Sequence, residues 1–334
     1  MEKTVPSPGP SSKHRLAVRV LVGLLLLGGL IVLVVNRGEI DRFAEMASRA
    51  KPAWLIVGLL LQAGTYFCVA IAWMLALRNV DVDFPLLPLV PLSVAKLFSD
   101  QVMPSGGISG TAFVIGALSR RGVSAGSSMA AFIVNIVGYY AAYILAALAS
   151  LVLLAYYHDI HAWILTAAFL FFIVAVVVPA GVLLLRRWSS RPLPSFLMRS
   201  PAISYMVQAF GSVPPSVVSN PRLIAKVSLL ETAVFLLDSA TLWVMLLAVG
   251  QEASLLEAIP SLVVASMVAT IGPIPLGLGA FEATCVGMLG SLGIPFEAAL
   301  TSTLLFRGLT LWLPMVPGMW LARRELSQQP RSGA

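Results

Sequence analysis

Apolar residues in this chain run on for twenty positions and more, and the polar residues gather between the runs rather than alternating within them. About 20 apolar residues in a helix cross the hydrocarbon layer of a bilayer. On that rule six segments predict spanning helices, roughly 16–36, 53–77, 126–154, 162–186, 225–249 and 296–321. Two further apolar regions, 85–119 and 257–292, are interrupted near the middle. Pro104, Gly106 and Gly107 cut the first, and Gly272, Pro273, Pro275, Gly277 and Gly279 cut the second. The arms on either side are about 14 to 18 residues long, short for a full crossing, so each region predicts a re-entrant helical hairpin. Two extra full spans in place of each hairpin would leave the side of every other loop unchanged, so arm length alone favours the hairpins.

The two interrupted regions are related. At an offset of 171, Pro104 falls on Pro275, Gly106 on Gly277, and Gly122-Val123-Ser124 on Gly293-Ile294-Pro295. Three predicted spans separate the two tips, an odd number, so the copies are expected in opposite orientation. The fold class read from this pattern is an all-α polytopic membrane protein, with about six transmembrane helices and two broken or re-entrant hairpins in an inverted repeat. Inverted repeats with interrupted helices are the architecture of transporters, whose substrate sites form where the broken ends meet. A tip exposes unpaired backbone N–H and C=O groups, which lipid does not satisfy and a wet cavity does. Glycines let such backbone approach a ligand, and a helix N-terminus after the tip favours an anion such as phosphate. The plainer reading, that glycine and proline only permit close packing or kinks, stays open for either tip taken alone.

Composition agrees with the pattern. The 334 residues are 58% hydrophobic and 11% charged, with a mean hydropathy of +0.91, outside the range of soluble domains. The net charge of +7 reflects topology rather than nucleic-acid binding. With the N-terminus inside, 16 of the 22 Lys and Arg residues fall on the cytoplasmic side. Arg37, Arg42, Arg49 and Lys51 fall outside, accompanied by Glu39, Asp41 and Glu45, and Lys96 and Arg307 lie within apolar segments. Residues 1–15 predict a disordered cytoplasmic tail, 16–321 one integral membrane domain, and 322–334 a second cytoplasmic tail. The Pro- and Arg-rich loop 187–224 predicts an amphipathic helix on the inner leaflet. The expected location is a bacterial inner membrane with both termini cytoplasmic.

Charged residues at membrane depth are the candidate chemistry. Lys96 and Asp100 stand four apart on one helical face before the first tip. Burying either alone costs at least ~2.5 kcal/mol, which calls for a partner or a wet cavity. The two could also simply neutralise each other. Glu282 follows the second tip with no local partner, leaving Arg307 or a substrate cation to answer it. Glu231 and Asp238 are seven apart and share a face, and Asp238 lies deeper. His158 and His161 read as an interfacial loop rather than a metal site, and Cys68 and Cys285 as packing residues. No nucleophile–base set, phosphate-binding loop or acidic metal motif is readable, so neither an enzyme nor a cofactor is expected.

The segments PSGGISGTAF (104–113), RRGV (120–123), PLGLGAFEA (275–283), LGIPFEAAL (292–300) and LLFRGLTLWLPMVPG (304–318) carry a resemblance. The chain resembles the lysylphosphatidylglycerol synthase transmembrane region, a flippase-like membrane family, over most of its length from Leu16. The resemblance implies movement of a phospholipid or lipid-linked intermediate between leaflets. It implies Pro104, Gly106, Gly107, Gly277, Gly279, Glu282 and Arg307 as cavity-lining positions. Lys96, Asp100 and Asp238 join them as candidate substrate contacts on the charge argument. Two departures from the family pattern concern the headgroup: Asn135-Ile136 stands where many members carry an acidic–Arg pair, and Ser109 and Thr111 where a charge is common. The chain ends about 13 residues past its last predicted span, so the aminoacyl-transferase domain of the full synthases is not expected. The rival reading is a non-transporting, lipid-binding scaffold that recruits a separate lipid-modifying enzyme.

Overall fold

A computed structural model describes residues 50–102, 108–157, 161–189, 213, 220–272 and 277–327, and the statements that follow concern these. Among them every regular element is helical. In chain order the helices are α1 (Pro52–Arg78), α2 (Leu86–Val102), α3 (Ile108–Ser119), α4 (Ala125–Tyr157) and α5 (Ala162–Ser189). After the loop come α6 (Pro221–Ala248), α7 (Leu255–Ile271), α8 (Ala280–Ser291), α9 (Phe296–Arg307), a π-helical turn Gly308–Trp312 and α10 (Leu313–Ser327).

Five segments are long and apolar enough to cross a membrane: Pro52–Arg78, Ala125–Tyr156, Ala162–Leu184, Pro221–Ala248 and Phe296–Leu321. They match five of the six predicted spans. The sixth, 16–36, lies outside the described residues, as do the N-terminal tail, most of the loop predicted to carry an amphipathic helix, and His158. The outward faces are hydrocarbon: Leu60, Val152, Phe169, Leu229 and Val316 are each about two-thirds or more exposed. Apolar surface on that scale marks contact with lipid. The chain is a polytopic membrane protein.

The interrupted regions resolve into pairs of short helices. α2 and α7 have 17 residues each, and α3 and α8 have 12 each. At 1.5 Å per residue these are about 25 and 18 Å long, below the roughly 30 Å of the hydrocarbon core. Residues 103–107 and 273–276 lie outside the described residues, and with them the predicted re-entrant turns, whereas Gly272 and Gly277–Gly279 at the edges of the second tip are described.

The repeat extends well beyond the tips. Adding 169 to the first residues of α1 and α2 (52, 86) gives 221 and 255, where α6 and α7 begin. Adding 171 to residue 125, where α4 begins, gives 296, where α9 begins. Pro91 and Pro260 each occupy the sixth position of their short helix. Packing is reciprocal between the halves. α1 rests on α4 as α6 rests on α9, and α2 rests on α10 as α7 rests on α4. The equivalent helices α1 and α6 pack along each other antiparallel. Lys51 N–H at the start of α1 donates to Ala248 O at the end of α6 (3.0 Å). At the other end Asn220 Nδ2, at the cap of α6, donates to Asn79 Oδ1 at the cap of α1 (2.9 Å). Equivalent helices that run antiparallel are what oppositely inserted copies require.

Local sequence sets these helix ends. Pro52 and Pro221 occupy first-turn positions, where a missing N–H costs nothing. Asn220 Oδ1 accepts from Leu223 N–H (3.2 Å), a side-chain cap worth about 1 kcal/mol. Two apolar clusters hold the halves: one built on α4–α9 around Tyr143, Phe171 and Met245, the other on α1–α4 and the start of α6 around Trp73, Leu118 and Ile133.

Candidate functional site: a polar cavity and its ion-paired wall

Polar side chains recur on the inner faces of the helices at helical spacing. Gln62, Thr65 and Tyr66 do so on α1, Ser93 and Lys96 on α2, Tyr139 and Tyr143 on α4, and Ser266 and Thr270 on α7. With Asp238 of α6, Gly277, and Arg307 and Thr310 of the last span, they line one cavity of about 390 Å³. Four sequence-predicted residues, Lys96, Asp238, Gly277 and Arg307, therefore share its wall although 211 positions separate the first from the last (307 − 96).

Asp238 is positioned from the facing helix. Gln62 Nε2 donates to Asp238 Oδ1 and to Thr241 Oγ1, each at 2.9 Å. Thr65 Oγ1 donates to Gln62 O (2.7 Å), bracing that turn of α1. Glu231, a heptad earlier on α6, is buried and in electrostatic reach of Lys96. Part of the wall is aromatic. The Tyr143 ring lies 4.7 Å from Phe235 and 4.3 Å from Phe171, and Tyr139 lies 5.7 Å from Tyr143. Tyr143 Oη and Thr270 Oγ1 are 3.3 Å apart, joining α4 to α7.

Glu282 stands behind the cavity wall and shapes it. It occupies the third position of α8, where its Oε2 accepts the Gly279 N–H (2.6 Å) in a capping contact that satisfies that donor just before the helix. Its Oε1 accepts from Arg307 Nε (2.6 Å), with the two side chains only 16% and 10% exposed. The guanidinium lies 5.0 Å from the Phe281 ring centroid, and Phe281 stacks on Phe306 at 5.8 Å. One carboxylate thus ties the tip to the last span. The chain leaves α9 through the π-helical turn Gly308–Trp312 directly after Arg307, a local widening often found at functional sites. The span expected over 296–321 is present, with this π-helical turn inside it.

Gly277 and Gly279 adopt φ of +60° and +81°. A Cβ on Gly277 would come 2.7 Å from the Ala269 Cβ, so this position is closed to any side chain by space as well as by backbone. Asp100 lies on α2 one turn past Lys96, and its side chain lies outside the description, as do Pro104, Gly106 and Gly107. Sequence reasoning missed Gln62, Thr65, Tyr66, Tyr139, Tyr143 and the π-helical turn. Their signal was available only as weakly polar residues three or four apart inside apolar runs. Among the described residues no three His, Cys, Asp or Glu side chains gather as a metal site.

The comparisons with known proteins rest on this frame. The family described as the lysylphosphatidylglycerol synthase transmembrane region matches residues 20–318, which contain the whole cavity, both short-helix pairs and the Glu282–Arg307 pair. The chain belongs to that family. A relative described as a UPF0104 membrane protein, from Methanothermobacter thermautotrophicus, is 20% identical over 326 residues, covering 92% of this chain and 94% of the relative. The lysylphosphatidylglycerol synthase transmembrane fold is here a pair of similar halves around a polar cavity, with the ion pair belonging to the second half.

Proposed function

We propose that the protein binds a phospholipid or lipid-linked intermediate by its headgroup in the central cavity and carries it between leaflets. The observation that supports this best is the cavity itself. It sets two cationic side chains, Lys96 and Arg307, and the carboxylate of Asp238 around about 390 Å³ inside a bundle whose outer faces are hydrocarbon. Charges at that depth are expensive and occur where a substrate or ion passes. A phosphate matches the two cations, and an ammonium matches Asp238 with the rings of Tyr139, Tyr143 and Phe235 beside it. In this reading Arg307 contacts the headgroup, while Glu282 is a positioning residue that holds Arg307 and the tip.

The antiparallel, repeat-related helices α1 and α6 supply the two-sided frame that alternating access uses. Driving energy comes from the lipid gradient, a coupled ion or the membrane potential, the last worth about 2.3 kcal/mol per charge per 100 mV.

The test is a leaflet assay in proteoliposomes containing fluorescent phosphatidylglycerol or phosphatidylethanolamine, read by quenching of outer-leaflet probe. Wild type is expected to expose inner-leaflet probe, and Arg307→Ala and Asp238→Asn are expected to slow that exposure about tenfold or more, the effect of ~1.4 kcal/mol. Unchanged rates in both variants would remove the assigned roles. Retained lipid binding with no movement of any headgroup would turn the reading to a lipid-binding scaffold for a separate lipid-modifying enzyme.

A further inference from the structure

The Glu282–Arg307 pair stands between two voids. Arg307 lines the polar cavity, while Glu282 lines a second cavity of about 620 Å³ between α8 and α9. Both volumes fall within the roughly 300–1,000 Å³ of small-molecule sites. Their chemistry is opposite. Glu282 directs its oxygens to Gly279 and Arg307, and the remaining wall, Val286, Gly287, Gly290, Ile294 and Leu300 among it, offers only hydrocarbon and glycine.

Gly287 and Gly290 lie three apart on one exposed face of α8. Glycine in a membrane helix ordinarily lets a neighbouring backbone approach. Here a Cβ at either position would meet no described atom within 4 Å, so these glycines leave open space instead of a close contact. A free phosphate or a peptide matches one of the two voids; an amphiphile with a charged head and a long chain matches both.

We propose that the α8–α9 groove is the acyl-chain subsite of the lipid whose headgroup occupies the polar cavity, with the Glu282–Arg307 pair as the partition the lipid straddles. This rests on the cavity being the headgroup site. The chain enters laterally, where Phe296 and Leu304 of α9 are exposed, and only the head crosses into polar surroundings. Chain length and the headgroup are then recognised by separate walls.

The experiment uses phosphatidylglycerol and phosphatidylethanolamine bearing a diazirine at the end of a sixteen-carbon chain, reconstituted with the full protein, irradiated, and mapped by peptide mass spectrometry. Labelling is expected to concentrate on residues 282–300 and to fall several-fold there in Gly287→Leu/Gly290→Leu. Leucine favours helix over glycine and meets open space at both positions, so the variant is expected to fold. Labelling spread evenly over the lipid-facing helices, or absent from 282–300, overturns the subsite. The wild-type map decides this even if the double variant is not recovered. Absence of the 282–300 labelling in wild type while the leaflet assay still responds to Arg307→Ala and Asp238→Asn refutes the acyl subsite alone. Concentrated labelling with no movement of any lipid refutes the transport reading alone.

Discussion

The two tips differ where their frames agree. α2–α3 and α7–α8 have the same helix lengths and a proline at the same position, and the helices after them begin at matched places. Yet the second tip is tied to its following span by Glu282 and Arg307, whereas the equivalent positions at an offset of 171 are Thr111 and Ile136 (282 − 171 and 307 − 171). Beside Ile136, Asn135 is buried and donates to Ala131 O in its own helix (2.8 Å), and its Oδ1 has no partner among the described residues. The first half brings Lys96 to the cavity from the arm before its tip; the second brings Arg307 from the span after its tip. Similar backbones thus deliver one cation each by different routes. The frame sets where a charge can be useful, and single substitutions decide which half holds it and what braces it.

Breaking the brace is expected to have the largest effect. Arg307→Ala leaves a largely buried Glu282 carboxylate without its cation, which costs roughly 3–5 kcal/mol when a buried pair loses one partner. Thermal unfolding in detergent should show it, and Glu282→Gln should be milder because its one amide oxygen still accepts the Gly279 N–H while the Arg307 guanidinium keeps the polar cavity beside it. A stability loss in Arg307→Ala no greater than that of a surface change would mean that the pair braces nothing.

Installing the brace in the first half sharpens the comparison. Thr111→Glu and Ile136→Arg each place a lone charge at depth, expected to cost ~2.5–3.5 kcal/mol. If the halves are equivalent in space, the double variant recovers at least about 1 kcal/mol of the summed loss as a coupling energy. Additive losses would show that the first tip places these positions too far apart.

The second tip's own geometry gives smaller effects. Gly277→Ala combines positive φ with a contact 2.7 Å from the Ala269 Cβ, and the combined expectation is about 2–3 kcal/mol. Gly279→Ala has the backbone penalty without the clash, about 1–2 kcal/mol. The order of the two midpoints is the check, and equal losses would contradict the packing described at Gly277. Gln62→Ala removes two hydrogen bonds from the Asp238 site, at about 1–2 kcal/mol. Its effect on lipid movement should exceed its effect on stability.

Much of this architecture is legible in the sequence because lipid leaves a coarse signature. Twenty apolar residues in a row have few alternatives to a spanning helix, and Pro and Gly inside such runs stand out against them. Hence five spans and both short-helix pairs fall where hydropathy puts them. Glu282 and Arg307 stand out as charges, and their pairing was one of two open readings, settled in space by helices 25 residues apart in sequence. The rest is subtler. Gln62 is one amide in an apolar helix, indistinguishable in sequence from a tolerated polar residue, until Asp238 is found 176 positions away and 2.9 Å from it. Tyr139 and Tyr143 look like interfacial or core aromatics. The π-helical turn depends on how the last span packs. The groove at Gly287 and Gly290 is defined by what is missing around two glycines, and periodicity does not register absent neighbours.

The central claim, that the polar cavity holds a lipid headgroup, is tested most directly by identifying the lipids retained by gently purified protein. Mass spectrometry of wild type should find a phosphate-bearing lipid at about one per chain after extensive delipidation, the stoichiometry of a single site. Lys96→Ala with Asp238→Asn should lose that lipid while the annular lipids remain. Equal retention of the same lipid by wild type and by the double variant would place the headgroup elsewhere and contradict the account.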